Sequence, residues 1–324
     1  MIGYYVHHHG RGHLHRALAL AAALDEPVTG LSSLPAPAGW SGPWVQLERD
    51  DIAPTAVDPT AHGRLHWVPR GDAGLSTRTA QISAWLDEHR PRVLVADVSV
   101  EVALLGRLHG VPVVTVVLPG QRADAAHQLG FDISTHLVAM WPPEAQNMLP
   151  GLPTASRERV RPLGALSRYP VRLPTSRRPG PPRVVLMTGG GGDDLTPDRI
   201  DSARRQSEQW EWVVLGRHGR WSEDPRADVH DADVVITNAG QNSLAEIAAA
   251  RTAAIVIPQD RPYDEQRTSA AALAAGGWPV LVEDRFPDRG WSERLRRAQH
   301  LDGDAWSSWC DGRAAERLAE LISS

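Results

Sequence analysis

Short apolar runs alternate with helix-spaced apolar residues through the first half of the chain. The runs rich in β-branched residues predict strands over 2–7, 92–97, 111–118 and 137–140. Apolar positions three and four residues apart predict helices over 13–24, 75–89 and 100–109. Such alternation is typical of βαβ units, in which helices cover both faces of a parallel sheet.

The pattern breaks over 161–182, which is rich in proline and arginine and has no periodicity, and then resumes. Further strands are predicted over 183–188, 212–216, 234–237, 253–258 and 279–282, and helices over 197–209, 244–250, 265–275, 292–299 and 312–322. The predicted fold class is α/β, with two Rossmann-like doubly wound domains facing a cleft. We expect an N-terminal domain over 1–163, a linker over 164–182, and a C-terminal domain with closing helices over 183–324. Ligands of such sheets bind beyond the carboxyl ends of the strands.

The amino-acid composition excludes several classes of protein and of chemistry. The 324 residues are 42% hydrophobic and 23% charged, which argues against a disordered chain. The net charge of -5 and the absence of a basic run argue against a nucleic-acid partner. All 34 basic residues are arginine, which excludes Schiff-base chemistry on lysine, and the single cysteine, Cys310, is expected to be a buried, neutral thiol. No apolar run spans a bilayer and no signal peptide precedes the first strand, so we expect a cytoplasmic protein.

The first predicted strand runs into a glycine-containing loop, His9-Gly10-Arg11-Gly12-His13. Gly10 and Gly12 suit a tight turn, and the helix that begins near His13 offers N–H groups and a positive dipole end to an anion. A neutral imidazole at His13 could take a proton from an acceptor hydroxyl. The alternative is that the glycines serve packing and that the histidine caps or lines the turn.

The histidines of this region also raise the question of a metal site; they are His7, His8, His9, His13 and His15. Consecutive strand residues point to opposite faces, so His7, His8 and His9 cannot all converge on one ion. No carboxylate or thiolate stands at ligand spacing. We therefore expect no metal.

In the second domain, a strand is followed by a turn and a helix that begins near Asn242 or Ser243. The residues at this junction are Asn238, Gly240, Gln241, Asn242 and Ser243. The first helical turn could bind a phosphate through its backbone N–H groups. Glu246 could accept both hydroxyls of a ribose, or it could complete a Ser-x-x-Glu capping box with Ser243.

Two further loops follow strands of the same domain. Asp264, Glu265 and Gln266 begin a helix, where they could bind sugar hydroxyls or simply complement the helix dipole. Gly189, Gly190 and Gly191 follow the first strand of the domain and suit either a phosphate loop or a flexible turn. All three loops lie at the carboxyl ends of strands in one domain, and their coincidence indicates a ligand-binding site there.

At these positions the chain resembles GT-B glycosyltransferases, in particular family 28. VHHHGRGHLHRALALAAAL resembles the N-terminal glycine loop and helix of the family, DADVVITNAGQNSLAEIAAA its donor-binding turn, and IPQDRPYDEQRTSAAAL the loop that follows. The resemblance implies an inverting, metal-independent transfer from a nucleotide-sugar co-substrate, with a UDP-sugar expected, and no other cofactor. It implies that His13 is the catalytic base, Gly240 part of the phosphate turn, Glu246 the ribose-binding acid, and Glu265 and Gln266 the sugar-binding pair.

Two other functions are compatible with these patterns. A sugar-nucleotide epimerase would need carboxylates in the first domain, for which Asp97 and Glu101 are candidates; a non-catalytic module would only bind the donor. The acceptor is left open as a lipid, a glycan or a small molecule; a lipid acceptor would allow peripheral contact with a membrane, although no basic amphipathic helix demands it. Trp40, Trp44 and Trp67 could stack on it, or pack in the protein.

Overall fold

The computed structural model describes residues 1–52, 55–172, 179–188, 195–222 and 224–323, apart from the side chain of Arg11. The chain forms two compact units. The first contains Met1–Met140, Pro150–Leu163 and the chain from Ala315 onward; the second contains Trp141–Leu149 and Gly164–Ala314.

Seven parallel strands form the sheet of the first unit, in the order β3-β2-β1-β4-β5-β6-β7. Their bounds are β1 Ile2–Tyr5, β2 Val28–Ser32, β3 Trp44–Gln46, β4 Val93–Asp97, β5 Val113–Val117, β6 His136–Ala139 and β7 Val160–Pro162. The helices between them are α1 Arg11–Ala22, α2 Ala73–His89, α3 Val100–Leu108, α4 Ala125–Ile133 and α5 Thr154–Arg159. The strand order reverses between β1 and β4, which is where α/β sheets bind ligands.

Five parallel strands form the sheet of the second unit, in the order β12-β11-β10-β8-β9. Their bounds are β8 Arg183–Thr188, β9 Glu211–Gly216, β10 Val234–Thr237, β11 Ala253–Val256 and β12 Val280–Val282. The remaining helices are α6 Pro197–Arg205, α7 Arg226–His230, α8 Gln241–Ala249, α9 Glu265–Ala275, α10 Trp291–Gln299 and α11 Ala314–Ser323. The order reverses between β8 and β10.

The central strands read as unbroken apolar runs because the elements packed on the sheets bury their side chains. All residues of β1, β4 and β5 are buried, as are those of β10 and β11. Two parallel sheets with alternating helices confirm the predicted α/β class.

The division of the chain differs from the predicted domains in three places. The predicted linker begins as part of the second unit, where Ala165 N donates to Trp309 O and Arg172 N donates to Ala249 O. Residues 173–178 of that linker lie outside the described residues. Trp141–Leu149 belongs to the second unit, and the chain from Ala315 belongs to the first, which no local pattern indicates.

Among the helices of the described residues, none has the length and apolar character needed to cross a membrane. Cys310 is a buried free cysteine, as predicted, and burial raises the pKa of its thiol.

Candidate functional site

The glycine loop of the first unit connects β1 to α1 at the point where the strand order reverses. Gly10 has φ of 87°, which glycine adopts without strain, and it precedes the first residue of α1. The helix begins at Arg11, two residues earlier than predicted, so Gly12 lies within the first turn rather than in the loop. His13 is therefore the third residue of α1.

His13 lies beside a buried carboxylate at the end of β4. Its Nδ1 is 3.2 Å from Asp97 Oδ1, and Arg16 NH1, one turn further along α1, is 2.6 Å from the same oxygen. Asp97 is fully buried. Burial alone would raise the pKa of this carboxyl, but Arg16 and His13 hold it below its usual range. Asp97 is thus an ionised group that can hold the imidazole in one orientation.

The backbone next to this carboxylate is strained. Val98 follows Asp97 with φ of 67°, a conformation that β-branched residues rarely adopt. Ser99 then caps α3 by accepting a hydrogen bond from Val102 N at 3.2 Å. Strain of this kind persists where the surrounding structure holds the backbone in place, and it is often found at functional sites.

A cavity of about 420 Å³ lies in the first unit. It is lined by Tyr5, His7, His8, His9, Asp50, Asp51, Trp67, Leu75, Arg78, Thr79, Ile82, Ser99, Glu101, Val102 and Leu105. His7 connects it to the candidate base, since the ring centroids of His7 and His13 are 5.5 Å apart. Burial lowers the pKa of His7 to about 3, so His7 is neutral at physiological pH. The volume suits a small-molecule group.

Two sequence expectations about this region need correction. The strand ends at Tyr5, so His7, His8 and His9 lie in the loop and the alternation of strand faces does not apply to them. Asp51 is a carboxylate at ligand distance, and His8, His9 and Asp51 bring one ligand atom each within 4.8 Å of one another. Of the three tryptophans considered for stacking, Trp67 lines the cavity. Trp40 and Trp44 pack edge to face, with ring centroids 5.0 Å apart.

In the second unit, β10 leads through Asn238 and Gly240 into α8. The helix begins at Gln241, and its N-cap residue, Gly240, has no side chain that could cap the first turn, which contains Asn242 and Ser243. The first turn therefore retains the positive end of the helix dipole without a neutralising cap. A cavity of about 60 Å³ at the ends of β8, β10 and β11 is lined in part by Asn238. Gly189, Gly190 and Gly191 lie outside the described residues.

Glu246 does not form the capping box that the sequence allowed. Because α8 starts at Gln241, Glu246 lies in its second turn, where it is buried. Its Oε1 instead accepts a hydrogen bond from Arg168 Nε at 2.7 Å. Burial raises the pKa of Glu246, and Arg168 opposes that shift. The carboxylate is held in a fixed position, and any ribose must share it with Arg168.

The loop between β11 and α9 is held by side-chain amides. Gln266 is buried, and its Oε1 accepts from Gln259 N at 2.9 Å; Asn238 Nδ2 donates to Gln259 Oε1 at 2.9 Å. Through these hydrogen bonds Gln266 helps to hold the loop in place, a structural role in addition to the predicted contact with the sugar. Asp264 has φ of 54° and lies directly before α9. Glu265 is partly exposed, with Oε1 3.9 Å from Arg261 Nε.

The sequence analysis did not identify Arg168 or Asp51 as site residues. It considered Asp97 only as a carboxylate of the alternative epimerase reaction. Arg168 lies 78 residues from its partner, in a segment without periodicity. Asp97 lies 81 residues from Arg16. The one available signal was the position of Asp97 as the last residue of a buried strand beside the β1 loop, since strand ends at a reversal of order meet in space.

Comparison with known proteins relates part of the second unit to a known protein family. Residues 188–286 match the model of the glycosyltransferase family 28 C-terminal domain. The chain is 26% identical, over 136 residues, to the UDP-N-acetylglucosamine--N-acetylmuramyl-(pentapeptide) pyrophosphoryl-undecaprenol N-acetylglucosamine transferase of Erythrobacter litoralis (strain HTCC2594). That match covers 40% of this chain and only 34% of the Erythrobacter enzyme. The same enzyme of Paenarthrobacter aurescens (strain TC1) is 25% identical over 353 aligned positions, which cover 96% of this chain and 92% of that enzyme.

Solved structures extend the likeness to the whole fold. MurG of Acinetobacter baumannii superposes with a TM-score of 0.63 at 17% identity and covers 99% of this chain and 98% of its own. A glycotransferase of kitacinnamycin superposes with a TM-score of 0.64 at 17% identity and covers 98% of each chain. At such identities the likeness concerns the fold, and the family match concerns residues 188–286. Together they show that the chain has the GT-B fold and that it resembles glycosyltransferase family 28 through its C-terminal domain, as its sequence predicts.

Proposed function

We propose that the enzyme transfers a sugar from a nucleotide diphosphate sugar, with UDP as the expected nucleotide, to an acceptor hydroxyl with inversion at the anomeric carbon. The observation that carries the proposal is the pairing of His13 with the buried carboxylate of Asp97, 3.2 Å away. In this proposal Asp97 holds the imidazole so that Nε2 is the base that removes the acceptor proton. Asp97 then stabilises the imidazolium that forms.

The donor binds, in this proposal, to the second unit at the ends of β8 and β10. The diphosphate accepts hydrogen bonds from the first turn of α8 (Gln241, Asn242 and Ser243) behind Gly240, where the helix dipole stabilises the leaving charge without a metal ion. Gly189, Gly190 and Gly191 would complete the phosphate loop. Asn238 orients the turn through its hydrogen bond to Gln259.

Glu246 binds the ribose in this scheme, and Asp264, Glu265 and Gln266 bind hydroxyls of the transferred sugar. Arg168 fixes one oxygen of Glu246, so the second oxygen is the one proposed to accept from ribose. Gly10, Arg11 and Gly12 belong to the acceptor side. No cofactor beyond the sugar donor is required.

The acceptor, in this proposal, occupies the 420 Å³ cavity of the first unit. The apolar side chains in its lining, among them Trp67, Leu75 and Ile82, suit an acceptor with a hydrophobic portion, such as a lipid-linked sugar or a small aromatic molecule. A lipid-linked acceptor would bring the enzyme to the cytoplasmic surface of a membrane. The Paenarthrobacter relative is named for such an acceptor, a pyrophosphoryl-undecaprenol.

The contacts of Asp97 and Glu101, the two carboxylates that an epimerase would need, argue against the epimerase alternative. Asp97 is buried and paired with Arg16 and His13. Glu101 Oε1 accepts from the backbone N–H groups of His66 and Trp67 at 2.7 and 3.2 Å. Both carboxylates have partners, so neither is placed as an independent acid or base.

The donor site is tested with a matched pair of variants, Glu246→Gln and Arg168→Gln. Both break the same partly buried ion pair, so both are expected to lower the melting temperature. Only Glu246→Gln removes the carboxylate, and it should weaken UDP-sugar binding at least tenfold, measured by calorimetry. Equal weakening in both variants would mean that Glu246 supports the fold and does not bind the donor.

The stereochemistry and the metal requirement have their own readouts. Proton NMR of the product should show inversion at the anomeric carbon, and retention would refute the mechanism. Donor hydrolysis without acceptor should continue at an unchanged rate in EDTA, because the leaving group is stabilised by the helix and not by a metal. A loss of hydrolysis that Mg²⁺ restores would contradict this part of the proposal.

A further inference from the structure

We propose that His8, His9 and Asp51 bind a divalent transition-metal ion of the zinc type at the rim of the first-unit cavity. His8 Nε2 lies 3.4 Å and His9 Nε2 lies 3.5 Å from the same oxygen, Asp51 Oδ2. Two imidazoles and one carboxylate are a donor set that zinc prefers. All three residues line that cavity.

The distances between these atoms fit tetrahedral coordination. Zinc binds imidazole nitrogen at about 2.0–2.1 Å and carboxylate oxygen at about 2.0–2.2 Å. A tetrahedron with such bonds separates any two ligand atoms by roughly 3.3–3.5 Å. The observed separations of 3.4 and 3.5 Å, from Asp51 Oδ2 to the two imidazole nitrogens, agree with that range.

The burial of His8 gives an independent indication. Its side chain is only 6% exposed, yet within the described part of the chain neither ring nitrogen has a hydrogen-bond partner. A buried polar group without a partner loses the free energy of its hydration. A metal bond to Nε2 would compensate for that loss, and both acidic neighbours, Asp50 and Asp51, face this nitrogen at 3.5 and 3.4 Å.

A second group of possible metal ligands has similar spacing but differs from the proposed zinc site in its hydrogen-bond partners. His66, Asp124 and His127 also place three ligand atoms within 4.8 Å. There, however, His127 Nδ1 contacts Asp124, and its Nε2 lies 3.2 Å from the guanidinium of Arg122. Both ring nitrogens of His127 thus have partners, and a cation stands where a metal would bind. This second group serves as the control.

Two arginines compete with a metal at the proposed site. Arg78 NH1 lies 2.6 Å from Asp50 Oδ1, which leaves Asp50 engaged. Arg49 binds Asp51 through both nitrogens, Nε to Oδ1 at 2.9 Å and NH2 to Oδ2 at 2.7 Å. The Arg49 side chain is more than half exposed, so it can move aside. Three protein ligands then remain, with a fourth coordination position open to the cavity.

An ion with an open position binds water or an oxygen of another ligand. Because all three ligands line the cavity, that oxygen would belong to the molecule in the cavity, such as a phenolate, carboxylate or hydroxyl of the acceptor. The role toward an acceptor rests on the proposed function. The binding of the metal does not.

The test titrates Zn²⁺ into protein that has been treated with EDTA and dialysed, without donor or acceptor. Wild type is expected to bind one equivalent, and His8→Asn and His9→Asn should each weaken zinc binding at least tenfold. His66→Asn, the matched control, should leave it unchanged. Far-UV circular dichroism and melting curves check that the variants are folded, and the visible spectrum of the Co²⁺ form should show tetrahedral bands that disappear in His8→Asn.

Removing the competing cation gives a result in the opposite direction. Arg49→Ala should tighten zinc binding severalfold, because it leaves Asp51 to the metal. The proposal is overturned if wild type binds zinc no more tightly than His8→Asn, if His66→Asn loses as much affinity, or if Arg49→Ala weakens binding. Since no sugar donor is used, failure here would leave the proposed transferase reaction untouched.

Discussion

Replacing Asp97 by asparagine should slow sugar transfer, and it should do so only while His13 is present. Asparagine keeps the shape of the side chain but removes the charge that faces His13 Nδ1. If Asp97 acts by stabilising the protonated imidazole, its effect must pass through His13. The two positions therefore form a double-mutant cycle.

The expected size of the effect follows from the distances. At 3.2 Å and an effective dielectric constant of about 20, a carboxylate and an imidazolium attract by roughly 5 kcal/mol. Arg16 lies closer, 2.6 Å from the same oxygen, and cancels much of that field. We therefore expect Asp97→Asn to cost about 1.4–2.8 kcal/mol in the transition state, a ten- to hundredfold loss of kcat. Loss of the base in His13→Ala should cost about 10²–10⁴-fold.

The substitution also affects the fold, and the assay must separate the two effects. Asp97→Asn leaves Arg16 buried without its counter-ion, which costs about 3–5 kcal/mol of unfolding free energy. Initial rates of transfer should be measured well below the melting temperature of each variant, under saturating donor. His15→Ala, on the same helix but about 200° around its axis, is the control and should keep full activity.

The cycle has one clear refuting result. The double variant should be no slower than His13→Ala alone. If the two losses multiply, Asp97 acts independently of His13, and the proposed pairing is wrong. Full turnover in His13→Ala would refute the role of His13 itself.

Three further predictions concern the donor turn, acid stability and the core. Gly240 has an ordinary φ, and a Cβ at this position would meet no described atom within 4 Å. Gly240→Ala should therefore keep the melting temperature of wild type but weaken donor binding about tenfold. The control, Gly277→Ala, has equal space for a Cβ and should change neither the melting temperature nor donor binding. Burial lowers the pKa of His127 to about 4, so only the unfolded chain takes up this proton between pH 6.5 and 4, and stability falls over that range as the pH falls. The free energy of unfolding can be measured by urea titration at pH 7 and at pH 5. Between these pH values it should fall by about 1–2 kcal/mol less in His127→Asn than in wild type, and an equal fall in both would contradict the assignment. A Cβ at Gly3 would lie 2.7 Å from the Trp85 ring, so Gly3→Ala should cost about 1–3 kcal/mol, and an unchanged melting temperature would show that the core relaxes freely.

Most of the fold could be predicted because buried parallel strands are continuous apolar runs. Strands β4, β5, β8 and β10 appear in the sequence as such runs, at nearly their observed bounds. Strands β2 and β3 were missed, since Val28–Ser32 contains a glycine and Trp44–Gln46 has only three residues. That glycine, Gly30, is required by packing: a Cβ there would lie 2.2 Å from the Trp44 ring.

The site was predictable in position but not in its pairings. The junctions at Gly10 and Gly240 could be predicted, because a glycine between a strand and a helix is a local sequence signal for a turn and for the start of a helix. The partners of Glu246 and His13 come from distant segments, and only packing brings them within hydrogen-bond distance. The helix at Gln241 also starts one turn too early for Glu246 to reach back to its N-terminus.

The last helix of the chain completes the first unit. Arg317 NH1 donates to Leu163 O at 2.8 Å, and Arg92 NH1 donates to Ile322 O. The first unit therefore lacks one of its helices until the ribosome has made residues 315–323. During synthesis this unit waits with part of its surface uncovered, while the internal unit, whose segments are all translated by Ala314, can fold first.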